Sequence, residues 1–402
     1  MTVKPSLNSG TPAGGQSLSI IWIVAAALGI IFGGLLIGTL SPSLFPEQAS
    51  LEAEQVDGLF QFMLVIGGAI FLLVIGVLVF SMVRFRARIN DRSDGIPLHG
   101  NSTLELIWTL VPAVIVLVVT IYSYQVWISI RTVQPINHDV QAIGARYAWT
   151  FNYDITPETL PAGITIDQIT EEPIRVALNS ESGLDFNSGQ LHTWAGEQVE
   201  MSMRPEDVNH AFWIPAMRIK QDLLVGRTTS ITFTPTDPGT YRIVCAELCG
   251  SGHGNMAGTI GYDGELQGAW LVVHPDEETY LREFYEPQVM SVLFPPPDPA
   301  LRGRATLASA KYPCATCHIL DDLGWAGAIG PNLNNVGNNA ARRASGTPAE
   351  VYLETSIRHP GDYLVPGYGN LMPQFNDETS EPNYMPEEDL TNIIAYLLTQ
   401  KQ

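Results

Sequence analysis

The sequence predicts a multi-domain membrane protein with N-terminal transmembrane α-helices, then a β-sandwich, then a small all-α domain. Three observations predict it. Long apolar runs are confined to residues 1–130, period-two alternation with Pro and Gly turns fills 131–292, and a proline-rich stretch at 293–300 precedes a segment, 301–402, that closes on an amphipathic helix. The composition agrees: 46% hydrophobic and 15% charged residues over 402 positions is rich for a chain wholly in water.

The apolar runs Leu59 to Val83 and Leu104 to Ile128 are each long enough to cross a hydrocarbon core of roughly 30 Å at about 1.5 Å per helical residue. Pro112 lies inside the second of these, where a spanning helix tolerates it. An earlier run, 19–40, reads as a retained spanning helix, with a cleaved signal as the alternative; it is longer than a typical signal core, and Lys4 is the one positive charge before it. No Cys follows it, so a lipid-anchored N-terminus is not expected. Arg84, Arg86, Arg88 and Arg92 lie between the later two runs, whereas residues 41–58 carry no Lys or Arg, which places the arginine loop in the cytoplasm and everything after residue 130 outside.

From Arg131 onward the chain has 16 Lys and Arg against 34 Asp and Glu, which accounts for −18 of its net −20. Such an exterior argues against nucleic acid and suits a cationic protein partner or simply a solvated surface. Alternating apolar residues mark strands at Trp149, Phe151, Tyr153 and at Val199, Met201, Met203, the methionines reading as core. Ile231 and Phe233, a turn over 235–239, and Tyr241, Ile243 and Cys245 read as a hairpin, and short strands with such turns suggest a Greek-key sandwich. Residues 276–290 read as one short helix, 293–300 as a linker, and Leu390, Ile393, Ile394 and Leu397 as the buried stripe of the last helix.

All four cysteines lie outside the membrane, in two motifs. Cys314-Ala-Thr-Cys317-His318 has the spacing that lets two thiols form thioethers to haem vinyl groups while the next imidazole binds iron. A zinc or thioredoxin-like C-x-x-C is the competing reading, weakened because no other Cys is near. A second axial ligand would be Met372 or Met385; Met385-Pro-Glu-Glu is also an ordinary helix start, so Met372 is preferred. With Gly330-Pro-Asn-Leu333, the loop 366–373 and the closing helix, this segment resembles class I cytochromes c.

In the other motif, Cys245-x3-Cys249-x3-His253-x2-Met256, two thiolates, an imidazole and a thioether are crowded together, and a disulfide, a zinc ion or a redox metal could explain them. Pairing Cys245 with Cys249 is sterically awkward, zinc gains little from Met256, and a weak thioether is the choice of an electron-transfer copper site. His210, in Asp207-Val-Asn-His210, supplies the missing second imidazole.

With these motifs on two adjacent spans, the chain resembles subunit II of haem-copper cytochrome c oxidases of the type with a fused C-terminal cytochrome c domain. The resemblance implies a cupredoxin-like sandwich holding a dinuclear CuA centre, with Cys245 and Cys249 bridging, His210 and His253 terminal, and Met256 and the Glu247 carbonyl weak ligands. It implies covalent haem c on Cys314, Cys317 and His318, and a Mg2+ shared with subunit I through the Glu247 carboxylate. It implies subunits I and III as partners, an external electron donor (cytochrome c, another redox protein or an upstream respiratory complex), and a bacterial inner membrane with both redox domains on its outer side. Glu105 matches the family's carboxylate at the mouth of a proton pathway, although a carboxylate there also simply reaches the headgroups. The family's entry tryptophan is replaced by Tyr147 in Tyr147-Ala-Trp149-Thr-Phe151, which favours delivery from the fused haem. A membrane-anchored copper-delivery protein is the competing function, and the haem motif argues against it. His99, His138, His192, His274 and His359 have no partner at ligand spacing and read as surface or loop residues.

Overall fold

In the computed structural model, which describes residues 20–86, 100–132, 138–180, 183–260, 266–327, 329–343, 346–379 and 383–402, the apolar runs form α1 (Ile20–Leu40), α2 (Leu51–Arg84) and α3 (Ser102–Ser129). Ser19, Arg88, Arg92 and His99 lie outside the described residues. All three helices are long and apolar enough to span a bilayer. Asn101 caps α3, its Oδ1 accepting from the N–H of Thr103 (3.1 Å) and of Leu104 (3.2 Å). Glycines bring α1 close to α2: a Cβ on Gly34 would lie 2.7 Å from the Val65 carbonyl oxygen, and Gln61 Nε2 donates to the Gly38 carbonyl at 3.1 Å.

The chain divides into two units, Met1–Phe45 with Asp57–Val126, and Pro46–Val56 with Trp127–Gln402. The strands of the second unit begin with β1 (His138–Ala145) and β2 (Ala148–Ile155), followed by the short helix α4 (Glu172–Leu178). Next come β3 (Leu184–Ser188), β4 (Leu191–Trp194), β5 (Val199–Pro205), β6 (His210–Ile214) and β7 (Ile219–Leu223). The remainder of the sandwich is β8 (Thr229–Phe233), β9 (Gly239–Arg242), β10 (Val244–Cys245), β11 (Thr259–Ile260), β12 (Leu266–Gln267) and β13 (Trp270–His274).

A five-stranded sheet in the order β3-β2-β1-β5-β8 supplies one layer, and the three-stranded sheets β4-β13-β9 and β10-β6-β7 supply the other. Alternate residues point inward as the period-two pattern requires, so Trp149, Phe151, Tyr153, Met201 and Met203 share one buried cluster with Phe212, Phe233 and Leu271. Each such side chain contributes about 1.5–3 kcal/mol by leaving water. The first residues of α2 are pinned to this sandwich: Leu51 N–H donates to the Thr234 carbonyl (3.1 Å), and buried Glu52 accepts from Thr234 N–H at 2.9 Å.

One expectation about strand pairing is corrected. The segments at 231–233 and 241–245 are not a hairpin, because β8 pairs with β5 while β9 pairs with β13 in the opposite layer. Phe233 and Tyr241 thus enter the core from opposite sheets, and the Pro-rich turn between them is a crossover. The single helix expected near 276–290 is present and runs without a break from Glu277 to Leu293, as α5 (Glu277–Tyr280), a π-helical stretch (Leu281–Tyr285) and α6 (Glu286–Leu293). Pro287 has no N–H to return to the carbonyl four residues back, which accounts for the widened turn.

The C-terminal domain contains α7 (Pro299–Ala308), the two-residue strands β14 (Ile319–Leu320) and β15 (Trp325–Ala326), α8 (Val336–Arg343), α9 (Ala349–Arg358) and α10 (Glu387–Thr399). Asp298 caps α7, accepting from Ala300 N–H at 2.8 Å. The first and last helices cross where Gly303 lies directly on the backbone of Asn392 and Ile393, a contact no larger residue could make. Leu307, Leu353, Leu390, Ile393 and Leu397 fill the core between them.

Three histidines read as surface or loop residues are instead buried or half-buried together. His138 and His274 are buried, His138 Nε2 lies 3.1 Å from the His192 carbonyl, and His192 Nδ1 lies 3.1 Å from His274 Nε2. The parallel pairing of β4 with β13 creates this group, which no local spacing could reveal. Burial lowers all three, His138 to about 4 and His192 to about 3, against 6.5 in the open chain. Because the folded values are depressed, their contribution to stability is full above pH 6.5 and is lost as pH falls toward the folded values. The melting temperature of this domain should therefore drop between pH 6.5 and about 4, and His138→Gln should flatten part of that slope; a flat wild-type profile would remove the cluster from the account.

Candidate metal centre and haem cleft

The metal centre starts from a strand pairing. Antiparallel β10 and β6 place Cys245 opposite Phe212 and Val244 opposite Trp213, and Ala246 N–H donates to the Ala211 carbonyl at 2.8 Å. Cys245 Sγ thereby comes within 3.8 Å of His210 Nδ1, and its thiol donates to the Glu247 carbonyl at 3.2 Å. The loop then returns Cys249, whose Sγ lies 3.5 Å from His253 Nδ1 and 3.4 Å from Met256 Sδ. The ligand atoms of buried His210, Cys245 and Cys249 all lie within 4.8 Å of one another. Each thiol therefore has its own imidazole and one weaker donor. Both cysteines are free, and this soft, nitrogen-and-sulfur donor set fits copper.

Charge around the site is arranged by a residue to which the sequence reading assigned no role. Asp207 Oδ1 accepts from His210 Nε2 (2.9 Å) and Val208 N–H (2.7 Å), while Oδ2 accepts from Arg146 Nε (2.8 Å) and Arg146 N–H (2.9 Å). Burial alone would raise this carboxyl, but the donors from His210 and Arg146 hold it well below the usual range. An ionised Asp207 fixes the proton on His210 Nε2 and leaves Nδ1 free toward Cys245. Burial raises both thiols; His210 brings Cys245 net below its ordinary value, whereas the negative charge of Cys245 adds to burial and keeps Cys249 raised.

The small residues of the loop have a packing cause. The Tyr147 ring lies directly against Gly252, and its hydroxyl lies 3.3 Å from Ser251 Oγ. Gly250 has φ +137°, which also favours glycine. Trp149 is buried edge-on to His210, with ring centres 6.0 Å apart, and its indole nitrogen has no hydrogen-bond partner among the described residues. Glu247 presents its carbonyl to Cys245 while the residue as a whole is exposed. Glu105 Oε1 accepts from Asn101 N–H at 3.3 Å, supporting the start of α3.

Cys314, His318, Met372 and Met385 all line one apolar cleft with about 960 Å³ of empty space, part of it open to solvent. Leu307, Trp325 and Leu353 complete much of its wall. Cys314 and Cys317 are free thiols on the turn that follows α7. His318 Nδ1–H donates to the Pro331 carbonyl at 2.8 Å, which leaves Nε2 as the ligating nitrogen. Gly330 explains the neighbouring motif, since a Cβ there would lie 2.7 Å from His318 Cε1. A large flat apolar group with a cysteine-bound edge and an iron for His318 fits this cleft. Met385 is 1% exposed and sits in the core, while Met372 is half-buried at the cleft's edge.

Comparison with known proteins identifies the domains that carry these sites. Residues 38–126 match the transmembrane domain of cytochrome C oxidase subunit II, residues 138–261 match its periplasmic domain, and residues 302–401 match cytochrome c. A Synechocystis sp. protein named cytochrome c oxidase subunit 2 is 36% identical over 237 residues, covering 53% of this chain and 70% of the relative. One of the same name from Thermostichus vulcanus is 30% identical over 309 residues, covering 71% of this chain and 90% of the relative. The chain belongs to the cytochrome c oxidase subunit II family. A third member, from Alkalihalophilus pseudofirmus, is 25% identical with 82% of each chain covered. Within the family this chain is an electron-transfer subunit of a terminal oxidase, anchored in a membrane by apolar helices and extended by a cytochrome c domain.

Asp207 and Arg146 are the site residues that sequence reasoning missed; the one available signal was the i, i+3 spacing of Asp207 and His210. Asp207→Asn should weaken copper binding by about 10- to 100-fold, as loss of a partner that orients a ligating imidazole does. Competition against a copper chelator measures this, and an unchanged affinity would show that Asp207 does not orient His210.

Proposed function

We propose that Cys245, Cys249, His210 and His253 would hold a dinuclear copper centre, with Met256 and the Glu247 carbonyl as weaker donors. Cys314, Cys317 and His318 would hold haem c, with Met372 as a further ligand. Bound there, the two groups take up and release single electrons, which connects an external donor to oxygen reduction and proton pumping in subunit I. The observation that carries this reading is the pairing of each buried thiol with its own imidazole.

The protein's residues contribute placement and insulation. Asp207 fixes the His210 tautomer, Tyr147 covers the glycines of the copper loop, and Trp149 walls the imidazole from water. Tyr147 and Trp149, packed on the copper loop and on His210, would carry electrons toward the site. The exposed Glu247 residue, whose carbonyl already faces a thiol, leaves its carboxylate available for a Mg2+ shared with subunit I. Glu105 stands at the first turn of α3, where a carboxylate could receive cytoplasmic protons for subunit I. Arg84 closes α2 and Arg86 follows it, which supports a cytoplasmic loop there and both redox domains outside; the chain would then sit in a bacterial inner membrane with subunits I and III as neighbours.

Two substitutions test the assignments. Cys249→Ser should abolish the near-infrared band and delocalised EPR signal of a copper pair while the haem c spectrum persists; an unchanged copper signal would sink the ligand set. Met372→Leu should lower the haem potential and alter its axial band. If Met385→Leu does so instead, the core methionine is the ligand.

A further inference from the structure

We propose that Arg302 is a positioning residue that latches the haem domain onto the copper domain, so that the haem-attachment turn rests against the copper loop. This rests on the function proposed above. Arg302 Nη2 donates to Glu171 at 2.7 Å, Nη1 to Glu388 at 3.3 Å, and Nε to the Pro296 carbonyl at 2.6 Å. Glu171 precedes α4 in the copper domain, Glu388 opens α10 in the haem domain, and Pro296 lies in the stretch joining them. One guanidinium, 25% exposed, therefore ties together all three segments.

Charge makes the latch necessary. Residues 138–293 carry 22 acidic against 8 basic side chains, and residues 301–402 carry 11 against 7, so two net-negative bodies are held in contact. Without Arg302, Glu171 and Glu388 would lack the cation that lies between them, and like charges at an interface oppose docking.

The contact held in this way lies at the redox sites. Thr150 Oγ1, on β2 between Trp149 and Phe151, donates to the Ala310 carbonyl at 3.1 Å, and Asn255 Nδ2, inside the 253–256 turn, approaches the Thr316 carbonyl at 3.5 Å. Thr316 lies between the two haem-attachment cysteines. Gly189 permits the approach, because a Cβ there would fall 2.9 Å from Ala310 Cβ. The attachment turn is thus covered by the chain itself, and an external donor must reach the haem from another side.

The test uses the assembled oxidase carrying Arg302→Gln, Arg302→Lys or Glu171→Gln. Backbone hydrogen exchange is followed in segments 310–316 and 253–256, together with haem and copper content and the haem-to-copper transfer rate. Glu171→Gln loosens the latch while sparing the haem domain's own Arg302–Glu388 contact, so it separates docking from folding. The expected result is faster exchange in both turns and transfer slowed by about tenfold, with both centres fully loaded and Arg302→Lys intermediate. Wild-type exchange and wild-type rates in Glu171→Gln and Arg302→Gln would overturn the latch. A wild-type protein lacking copper or covalent haem would instead overturn the function it rests on, while the exchange data would still decide the docking.

Discussion

The metal centre depends on one strand register. Cys245 opposes Phe212 across β10 and β6, which sets its thiol beside His210, two residues from Phe212 along the same strand. Because strand side chains alternate faces, a slip of one residue would turn Cys245 out of the core and Val244 into it. Nothing in the loop after Cys245 could compensate, since Cys249, His253 and Met256 are positioned relative to that strand end. The buried aromatic layer of Trp149, Phe151 and Phe212 makes the slipped register costly, so the hydrophobic core and the ligand geometry are set by the same pairing.

Strand β2 then serves two sites through the same alternation. Trp149 points inward, edge-on to His210 and Phe212, while Thr150 points outward to the Ala310 carbonyl. Tyr147, near the start of the strand, packs on the glycines of the copper loop. The loop's small residues are therefore demanded by a ring lying on them as much as by the turn they make. Burial supplies the electrostatic side: Asp207 remains ionised in a half-buried position because four donated hydrogen bonds outweigh its desolvation.

Features encoded by neighbours in sequence were readable without coordinates. The two cysteine motifs, the apolar runs, the closing helix and the inward residues of β2 and β5 all follow from spacing, because a helix or strand repeats its face at fixed intervals. The misreadings share the opposite cause. The 231–245 stretch looks like a hairpin because strand, turn and strand follow one another, yet its strands belong to different layers. His192 and His274 are far apart in sequence and meet only through the parallel pairing of β4 and β13. Asp207 was in plain view three residues from His210, but its role needs Arg146, which arrives from the end of β1.

The sequence by itself determined which donors this protein can offer, cysteines, histidines and methionines at spacings suited to copper and haem, and which segments seek lipid. Those are local matters of covalent spacing and side-chain chemistry. Only the tertiary structure decided which imidazole each thiol meets, which carboxylate orients His210, and which face of the haem domain is turned toward the copper loop. Each of these is a contact between residues distant in the chain, and such contacts are selected by the packing of whole sheets and domains, which no short motif contains.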